Sequence, residues 1–512
     1  MSMIIILNFG GQYTHLIARR IRELGCYAEI LPFDISSSKI KELKPNGLIL
    51  SGSPFSVYDE NAPLPKSEIF SLNIPILGIC YGQQIIAKIL GGEVEKGKLR
   101  EFGREILTVL DKKNLFKGLN KKEAVWFSHG DLVTKLPKGF KVIGKSRTSK
   151  IASFANSDNK IFGIQFHPEV IHTNKGLKII ENFIYGICNE KKSWKISNIK
   201  NNLIVELKKT LGNEAVLIGV SGGVDSLVAA SLLKAAIGDK LYCIFVDNGL
   251  MRKNEAEEIE KIFVKTKFKN FIVADAKEKF LSALKKVTDP EKKRKIIGRT
   301  FIRVFERKAK ELEKQAKFKF LAQGTIYPDR IESAQPSKNA AKIKSHHNVT
   351  LPKKLKFQIV EPLRELYKDE VRRLGKKLGL PKSIIGRHPF PGPGLAVRIL
   401  GEITKDRLDI LREADSIFIS ELKKAGLYDK IWQAFAALLP LKTVGVMGDA
   451  RTYEYIISLR AVNSKDGMTA DWAKIPNEVL ENISSKIVNE VRGVNRVVYD
   501  ISQKPPATIE YE

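Results

Sequence analysis

The sequence predicts an α/β protein: two doubly wound α/β domains followed by a smaller C-terminal α+β domain. Three observations lead there. Short apolar runs alternate with helical patterns from residue 1 to about 190. The alternation restarts after a polar, lysine-rich stretch at 189–197, which reads as a linker. It then breaks at His388-Pro389-Phe390-Pro391-Gly392-Pro393-Gly394, which can be neither regular helix nor central strand. The chain has 512 residues, 43% of them hydrophobic, enough for several cores. Domain boundaries are expected at 1–190, 194–387 and 388–512.

In the first segment strands are expected at Ile4–Phe9, Gly47–Ser51, Ile74–Cys80 and Ile161–Phe166. Helices are expected at Tyr13–Leu24 and Gln83–Leu90, stopped by Gly25 and by Gly91-Gly92. The second segment offers strands at Ala215–Val220, Leu241–Asp247, Phe271–Ala274 and Phe318–Gln323. Its basic stretch at 285–319 reads equally as a solvated helix face or as a mobile lid over a triphosphate. In the third, Asp406–Ala425 and Pro476–Val491 are helical patterns, and Val444–Met447, Tyr453–Leu459 and Arg496–Asp500 are strand-like.

The formal net charge is +30. The lysines and arginines are scattered through periodic segments, without zinc-finger spacing, a basic tail or an aromatic RNA-binding consensus. Anionic small substrates account for them better than nucleic acid does. The four cysteines (Cys26, Cys80, Cys188, Cys243) form no close pair, so neither a disulfide framework nor a metal cluster is expected. Ile4–Leu7 is too short and lacks the basic start of a signal sequence, and no apolar stretch reaches membrane-spanning length. A soluble cytoplasmic protein is the expectation.

Ser221-Gly222-Gly223-Val224-Asp225-Ser226 lies between an apolar run and an amphipathic one: strand, glycine loop, helix. Two glycines let backbone N–H groups approach an anion, the helix start adds unpaired donors, and two serines add hydroxyls. Such a loop holds phosphate. It lacks the Lys-Ser/Thr of a Walker loop. Asp225 is the candidate metal contact, with Mg²⁺ as the expected ion. Val246, with Asp247-Asn248-Gly249-Leu250, closes the next strand at the edge where a nucleotide would lie.

A second site centres on Gly78-Ile79-Cys80-Tyr81-Gly82, a nucleophile elbow with cysteine as the nucleophile. The helix start behind it places the positive end of a helix dipole at the sulfur. Gln165-Phe166-His167-Pro168-Glu169 follows another apolar strand. His167 and Glu169 are two residues apart, so in an extended segment both face one side, the histidine to move a proton and the carboxylate to orient its ring. The amides of Ser51-Gly52-Ser53-Pro54, with that of Tyr81, offer an oxyanion hole. In Ser128-His129-Gly130-Asp131, His129 and Asp131 could hold a substrate's ammonium and amide ends, with Gln84 beside them.

Cys80, His167 and Glu169 in these contexts resemble the class I glutamine amidotransferases, which hydrolyse glutamine through a thioester. The glycine–serine loop resembles the N-type ATP pyrophosphatases, which release AMP and pyrophosphate. The run Asn8-Phe9-Gly10-Gly11-Gln12-Tyr13 with Ile17-Ala18-Arg19-Arg20, and signatures continuing to the end of the chain, resemble the fused enzymes that aminate XMP. Those signatures include Ile297-Gly298-Arg299, Ala322–Asp329, Ile343–Val349, Arg387–Gly394, Val444–Asp449, Asp466–Trp472 and the tail from Tyr499 through Lys504–Glu510.

The resemblance implies XMP, ATP and L-glutamine as substrates, an adenylyl-XMP intermediate, and a homodimer formed through the third domain. It implies ATP contacts from Ser221 through Leu227 and from Val246. It implies XMP contacts from Arg299, Pro391, Gly392, Pro393, Gly394, Gln433, Lys504, Ile509 and Glu510. That family usually carries an acid at Asn8, serine at Gly11, a small apolar residue at Arg330, Gly-Gly-Leu-Pro where Thr350-Leu351-Pro352 stands, and tryptophan at Tyr511. On the residues alone, an NAD or asparagine synthetase, a tRNA-modifying protein and a catalytically dead regulatory module remain open.

Overall fold

Strands whose residues are all buried must be covered on both faces, which is the situation of a central parallel strand. β1 (Ile4–Asn8), β3 (Gly47–Leu50) and β4 (Ile76–Ile79) are buried throughout their length. The structure is a computed structural model that describes residues 3–334, 357–464, 467 and 469–512. The expected signature at Ile343–Val349, the Thr350–Pro352 departure, and Asp466 and Met468 lie outside the described residues. The chain divides into two units, Met1–Ile199 and Lys200–Glu512.

The first unit also contains α1 (Thr14–Glu23), β2 (Ala28–Pro32), α2 (Ser37–Leu43), α3 (Tyr81–Ile89), β5 (Glu93–Val109), β6 (Lys122–Lys135), β7 (Phe140–Lys145), β8 (Ser153–Asn156), β9 (Ile161–Ile164) and α4 (Gly176–Glu181). Its nine-stranded sheet runs β2-β1-β3-β4-β9-β8-β7-β5-β6. β1 to β4 and β9 are mutually parallel. β8 joins β9 antiparallel and begins an antiparallel extension that ends in the long β5–β6 hairpin. That extension lacks the continuous apolar runs that mark the parallel half. The 189–197 stretch is anchored rather than loose. Trp194 donates its N–H to Gly25 O at 2.9 Å and packs on Tyr27, with the Arg22 guanidinium over both rings.

After α5 (Ile196–Leu211), the second unit builds β10 (Ala215–Val220), α6 (Val224–Ile237), β11 (Leu241–Asp247), α7 (Glu255–Lys265), β12 (Asn270–Asp275), α8 (Lys277–Leu284), α9 (Pro290–Leu312), β13 (Phe318–Ala322), α10 (Tyr327–Ala334) and β14 (Gln358–Val360). The five strands are parallel, in the order β12-β11-β10-β13-β14. The order therefore reverses between β10 and β13, and ligands of such sheets bind at the carboxyl ends beside that reversal. The basic 285–319 stretch forms the long helix α9, capped by Asp289 Oδ1 accepting from Lys292 N at 2.7 Å. Ile297, Val304, Phe305, Ala309 and Leu312 bury one side of it.

The remainder is α11 (Lys368–Lys377), α12 (Lys382–Ile385), α13 (Lys405–Lys424), β15 (Gln433–Met447), β16 (Ala450–Asn463), β17 (Asp471–Trp472), α14 (Asn477–Glu490) and β18 (Val494–Asp500). β15 and β16 make one long hairpin, of which the expected runs at 444–447 and 453–459 are parts. β18 pairs β16 in parallel. One apolar core runs from Leu217 and Ile244 of the parallel sheet through α13 to Ile457 and Val494.

Two candidate active sites

Cys80 ends β4 with φ of 55°, a left-handed conformation that a non-glycine residue holds only when its surroundings impose it. The imposition is visible in the flanking glycines. A Cβ on Gly82 would lie 2.3 Å from Leu50 O, and one on Gly78 would lie 2.5 Å from the Gly82 backbone. The strand therefore passes too close to α3 for any side chain, and the turn presents sulfur ahead of the α3 N-terminus. Gln165 Nε2 donates toward Sγ at 3.7 Å, and Sγ lies 3.6 Å from Ser128 O.

His167 follows β9 on the neighbouring strand, and its Nδ1 lies 2.7 Å from Glu169 Oε1. Both side chains are buried. Burial opposes charge on the imidazole, but the Glu169 carboxylate and the Cys80 sulfur outweigh it and push the His167 pKa up to about 10. Gly52 lies against both groups: a Cβ there would be 3.4 Å from His167 Cε1 and 3.9 Å from Cys80 Cβ. Tyr81 is buried, with its hydroxyl on Pro63 O at 3.1 Å. Gln84 Nε2 donates to Asp131 O at 2.9 Å. His129 has both nitrogens engaged, Nε2 with Glu101 at 2.9 Å and Nδ1 with Asp131 O at 3.1 Å.

Four further residues complete this arrangement without having been singled out for chemistry in the sequence. The Tyr13 ring meets His167 edge-on at 5.0 Å. Arg20 Nε donates to Glu169 O at 2.9 Å, and the Thr173 hydroxyl donates to His167 O at 2.6 Å. Gln165 touches the sulfur. Gln165, Tyr13 and Arg20 stood in motifs quoted above, though without a role; Thr173 acts through a backbone carbonyl, which leaves no sequence signal.

The two departures at the start of the chain have physical accounts. Asn8 Oδ1 accepts from Gly10 N at 2.9 Å and from the Thr14 hydroxyl at 3.3 Å, the part a carboxylate oxygen would take. A Cβ on Gly11 would fall 2.3 Å from Gly52 O, so with this loop spacing only glycine fits.

If the Glu169 carboxylate is what charges His167, Glu169→Gln will lower the imidazole pKa. The raised pKa means the charged form contributes fully below the ordinary value of 6.5 and is lost as pH rises through about 10. In the variant that loss moves to lower pH, and the rate of the reaction at Cys80 falls about 10²-fold. An NMR titration of His167, read beside the rate, checks both.

In the second unit the loop after β10 is cross-braced. Ser221 N donates to Ser226 Oγ at 3.2 Å, Gly223 N to Ser221 Oγ at 3.3 Å, and Ser226 Oγ to Gly223 O at 3.1 Å. Gly222 has φ of 75°, and a Cβ there would collide with Ile259 Cδ1 at 2.1 Å. Asp225 Oδ2 lies 2.6 Å from Lys368 Nζ, while its Oδ1 is buried without a partner among the described residues. Lys368 opens α11, where an exposed lysine carries no signal in the sequence. Gly324, after β13, comes within 3.3 Å of Ser226 N by its projected Cβ, so the loops of the two switch-point strands touch.

This loop lines a cavity of about 1590 Å³. Val246, Arg299 and the whole Pro391–Gly394 turn line it as well. The turn is fixed by close approach: Leu395 N donates to Leu250 O at 2.7 Å, and a Cβ on Gly394 would be 2.3 Å from that oxygen. His388 is held neutral. Burial pushes its pKa down to about 4, and its nitrogens are engaged with Tyr428 O and Ala434 N.

The other expected XMP contacts gather elsewhere, on the β15–β18 sheet. Glu510 takes a fork from Arg398 (3.0 and 2.9 Å) and a bond from Gln433 Nε2 at 2.6 Å. Lys504 Nζ donates to Gly467 O at 2.8 Å, and Ile509 packs with Phe435, Ala437 and Val462. Gln433, Lys504, Ile509 and Glu510 thus form a second cluster, outside the cavity lining. Tyr511 bonds Ser458 Oγ at 2.7 Å and Asp500 Oδ2 at 3.0 Å, and Arg330 ion-pairs with Glu365.

Comparison with known proteins matches three stretches of the chain to families. Residues 5–187 match the class-I glutamine amidotransferase family, residues 215–385 the family described as queuosine biosynthesis protein QueC, and residues 420–511 the GMP synthase C-terminal domain. Glutamine-hydrolysing GMP synthases from Thermosipho melanesiensis and Carboxydothermus hydrogenoformans are each 57% identical to this chain over all of both sequences. That from Aquifex aeolicus is 55% identical over 99% of each. With identity of this order sustained from end to end, the chain belongs to the glutamine-hydrolysing GMP synthases.

Proposed function

We propose that this chain aminates XMP to GMP, taking nitrogen from L-glutamine and cleaving ATP to AMP and pyrophosphate. One observation carries the reading: a single chain holds a Cys–His–Glu arrangement at a strained elbow and, separately, a phosphate loop facing Arg299 and the Pro391–Gly394 turn across one cavity. The boundaries 1–190, 194–387 and 388–512 assign the donor, ATP and acceptor parts.

In the donor part Cys80 sulfur attacks the glutamine amide carbon, and the oxyanion is met by the amides of Gly52 and Tyr81. The imidazolium of His167 gives its proton to the departing ammonia, and Glu169 keeps the ring oriented. Water, deprotonated by His167, then hydrolyses the thioester to glutamate. Between the ATP and acceptor parts the xanthine C2 oxygen attacks the ATP α-phosphorus and pyrophosphate leaves. Ammonia then adds at C2 and AMP departs. Ser221, Gly223 and Ser226 grip the phosphates, and Arg299 and the 391–394 turn bind XMP with Gln433, Lys504, Ile509 and Glu510.

No cluster of three His, Cys, Asp or Glu able to enclose a metal occurs among the described residues. Mg²⁺ commonly takes one or two carboxylates and completes its shell with water and phosphate. The buried, unpartnered Asp225 Oδ1 suits that donor set, so Asp225 would hold it. Bound there with ATP, Mg²⁺ supplies positive charge toward the leaving pyrophosphate.

A cytoplasmic homodimer is part of the same proposal. No described helix is long and apolar enough to cross a membrane. Val444 and Val446 alternate on one face of β15, Tyr453 pairs with Val444 across the hairpin, and all three are exposed. A contiguous apolar stripe of this kind suits a second copy. Val446→Glu is expected to halve the mass seen by sedimentation.

The test of the activity is direct. Purified protein given XMP, ATP, Mg²⁺ and glutamine should yield GMP and pyrophosphate in equal amounts, followed by ultraviolet absorbance. Formation of neither would overturn the reading.

A further inference from the structure

The second unit buries a lysine that the reaction as described does not use. Lys293, in the first turn of α9, is fully buried. Its Nζ donates to Ile399 O at 2.7 Å, to Ala396 O at 3.3 Å and to the Glu512 carboxylate. Glu512 is held from two more directions: Oε1 accepts from Gly401 N at 3.1 Å, and its backbone oxygen accepts from Arg294 NH2 at 2.6 Å.

Three segments therefore meet at one ammonium group. Each segment carries some of the residues proposed above to bind XMP. α9 carries Arg299 six residues beyond Lys293, between a turn and a half and two turns along the helix. Ala396 and Ile399 directly follow the Pro391–Gly394 turn. Glu512 lies two residues beyond Glu510, whose carboxylate is itself forked by the fully buried Arg398. A buried ammonium needs all its donors satisfied, and among the described residues its partners are two carbonyls and one carboxylate from two other segments. The cheapest arrangement of Lys293 is thus the one in which helix, turn and tail are in register. Breaking any one contact leaves a desolvated charge behind.

We propose that Lys293, with Glu512, is a positioning residue: it assembles the XMP site by locking the α9, 391–399 and 504–512 segments to one another. It touches no substrate and acts through Arg299, the turn and Glu510. This inference rests on the assignment of the XMP contacts made above.

The test uses the full-length protein and XMP as the probe. Glu512→Gln keeps the size of the side chain, removes its charge and leaves one acceptor oxygen where Lys293 and Gly401 use two, and Lys293→Met keeps the length of the aliphatic stem. Loss of one buried charge-assisted hydrogen bond should weaken XMP binding, measured by calorimetry, about tenfold or more. The KM for XMP in ammonia-driven synthesis should rise in parallel. The KM for ATP should change less than about twofold and basal glutaminase should hold, since neither depends on this lock. Combining both substitutions removes the stranded charge, so the double variant should bind XMP better than the two single losses predict.

Wild-type affinity for XMP in Glu512→Gln, in a protein that aminates XMP normally before substitution, would overturn the positioning role alone. Equal losses for XMP and ATP would also overturn it, by showing general damage. A wild-type protein that neither binds nor aminates XMP would instead overturn the assignment on which the inference rests. If Lys293→Met fails to fold, Glu512→Gln decides.

Discussion

Cys80→Ala is expected to cut glutamine-dependent GMP formation by about 10³-fold or more, because no other group can form the thioester. Ammonia-dependent synthesis should stay within about twofold of wild type, as independent sites contribute independently. The substitution is well placed to be clean. The hydrogen bonds of Cys80 Sγ to Ser128 O (3.6 Å) and from Gln165 Nε2 (3.7 Å) are long, and the other partner that alanine gives up is the His167 imidazole of the same site. The positive φ of 55° is already strained for cysteine and is equally strained for alanine. Two parallel rate measurements, one with glutamine and one with ammonium salt, read the result. Loss of both activities would contradict separable donor and acceptor chemistries.

Asp225→Asn should have the converse pattern. XMP-dependent release of pyrophosphate from ATP should fall about 10²-fold, the usual scale for removing one fixed charge from a phosphoryl site. Glutaminase should persist at its basal rate. The geometry supplies the reason. Asp225 stands one residue into α6, its Oδ2 balanced by Lys368 and its Oδ1 buried with no partner among the described residues. Asparagine keeps the shape, removes the charge and leaves Lys368 unopposed. Unchanged pyrophosphate release would remove the 221–226 loop from the reaction.

Much of both sites could be read from residue order. A nucleophile elbow and a phosphate loop are local devices: each requires glycines at fixed offsets between a strand and a helix, and the collisions at Gly78, Gly82 and Gly222 show why. His167 and Glu169 are legible for the same reason, being two residues apart on one extended segment. Residues that act across the fold gave little or no signal. Lys368 reaches Asp225 from 143 positions away, Arg398 reaches Glu510 from 112, and Lys293 reaches Glu512 from 219. His129 is read locally as a substrate contact, and register across the β5–β6 hairpin, invisible to that reading, sets it opposite Glu101.

What the chain's own order determined is the parallel strands apart from the edge strands β2 and β14, the two glycine-flanked turns, and the family they resemble, because apolar runs and glycine spacing are properties of neighbours. The tertiary structure alone decided which of the expected XMP residues stand together. Arg299 and the 391–394 turn line the cavity of the phosphate loop, while Gln433, Lys504, Ile509 and Glu510 gather on the β15–β18 sheet. That partition follows from strand pairing and from buried charges seeking partners, both of which join residues hundreds of positions apart and leave no periodic trace in the sequence.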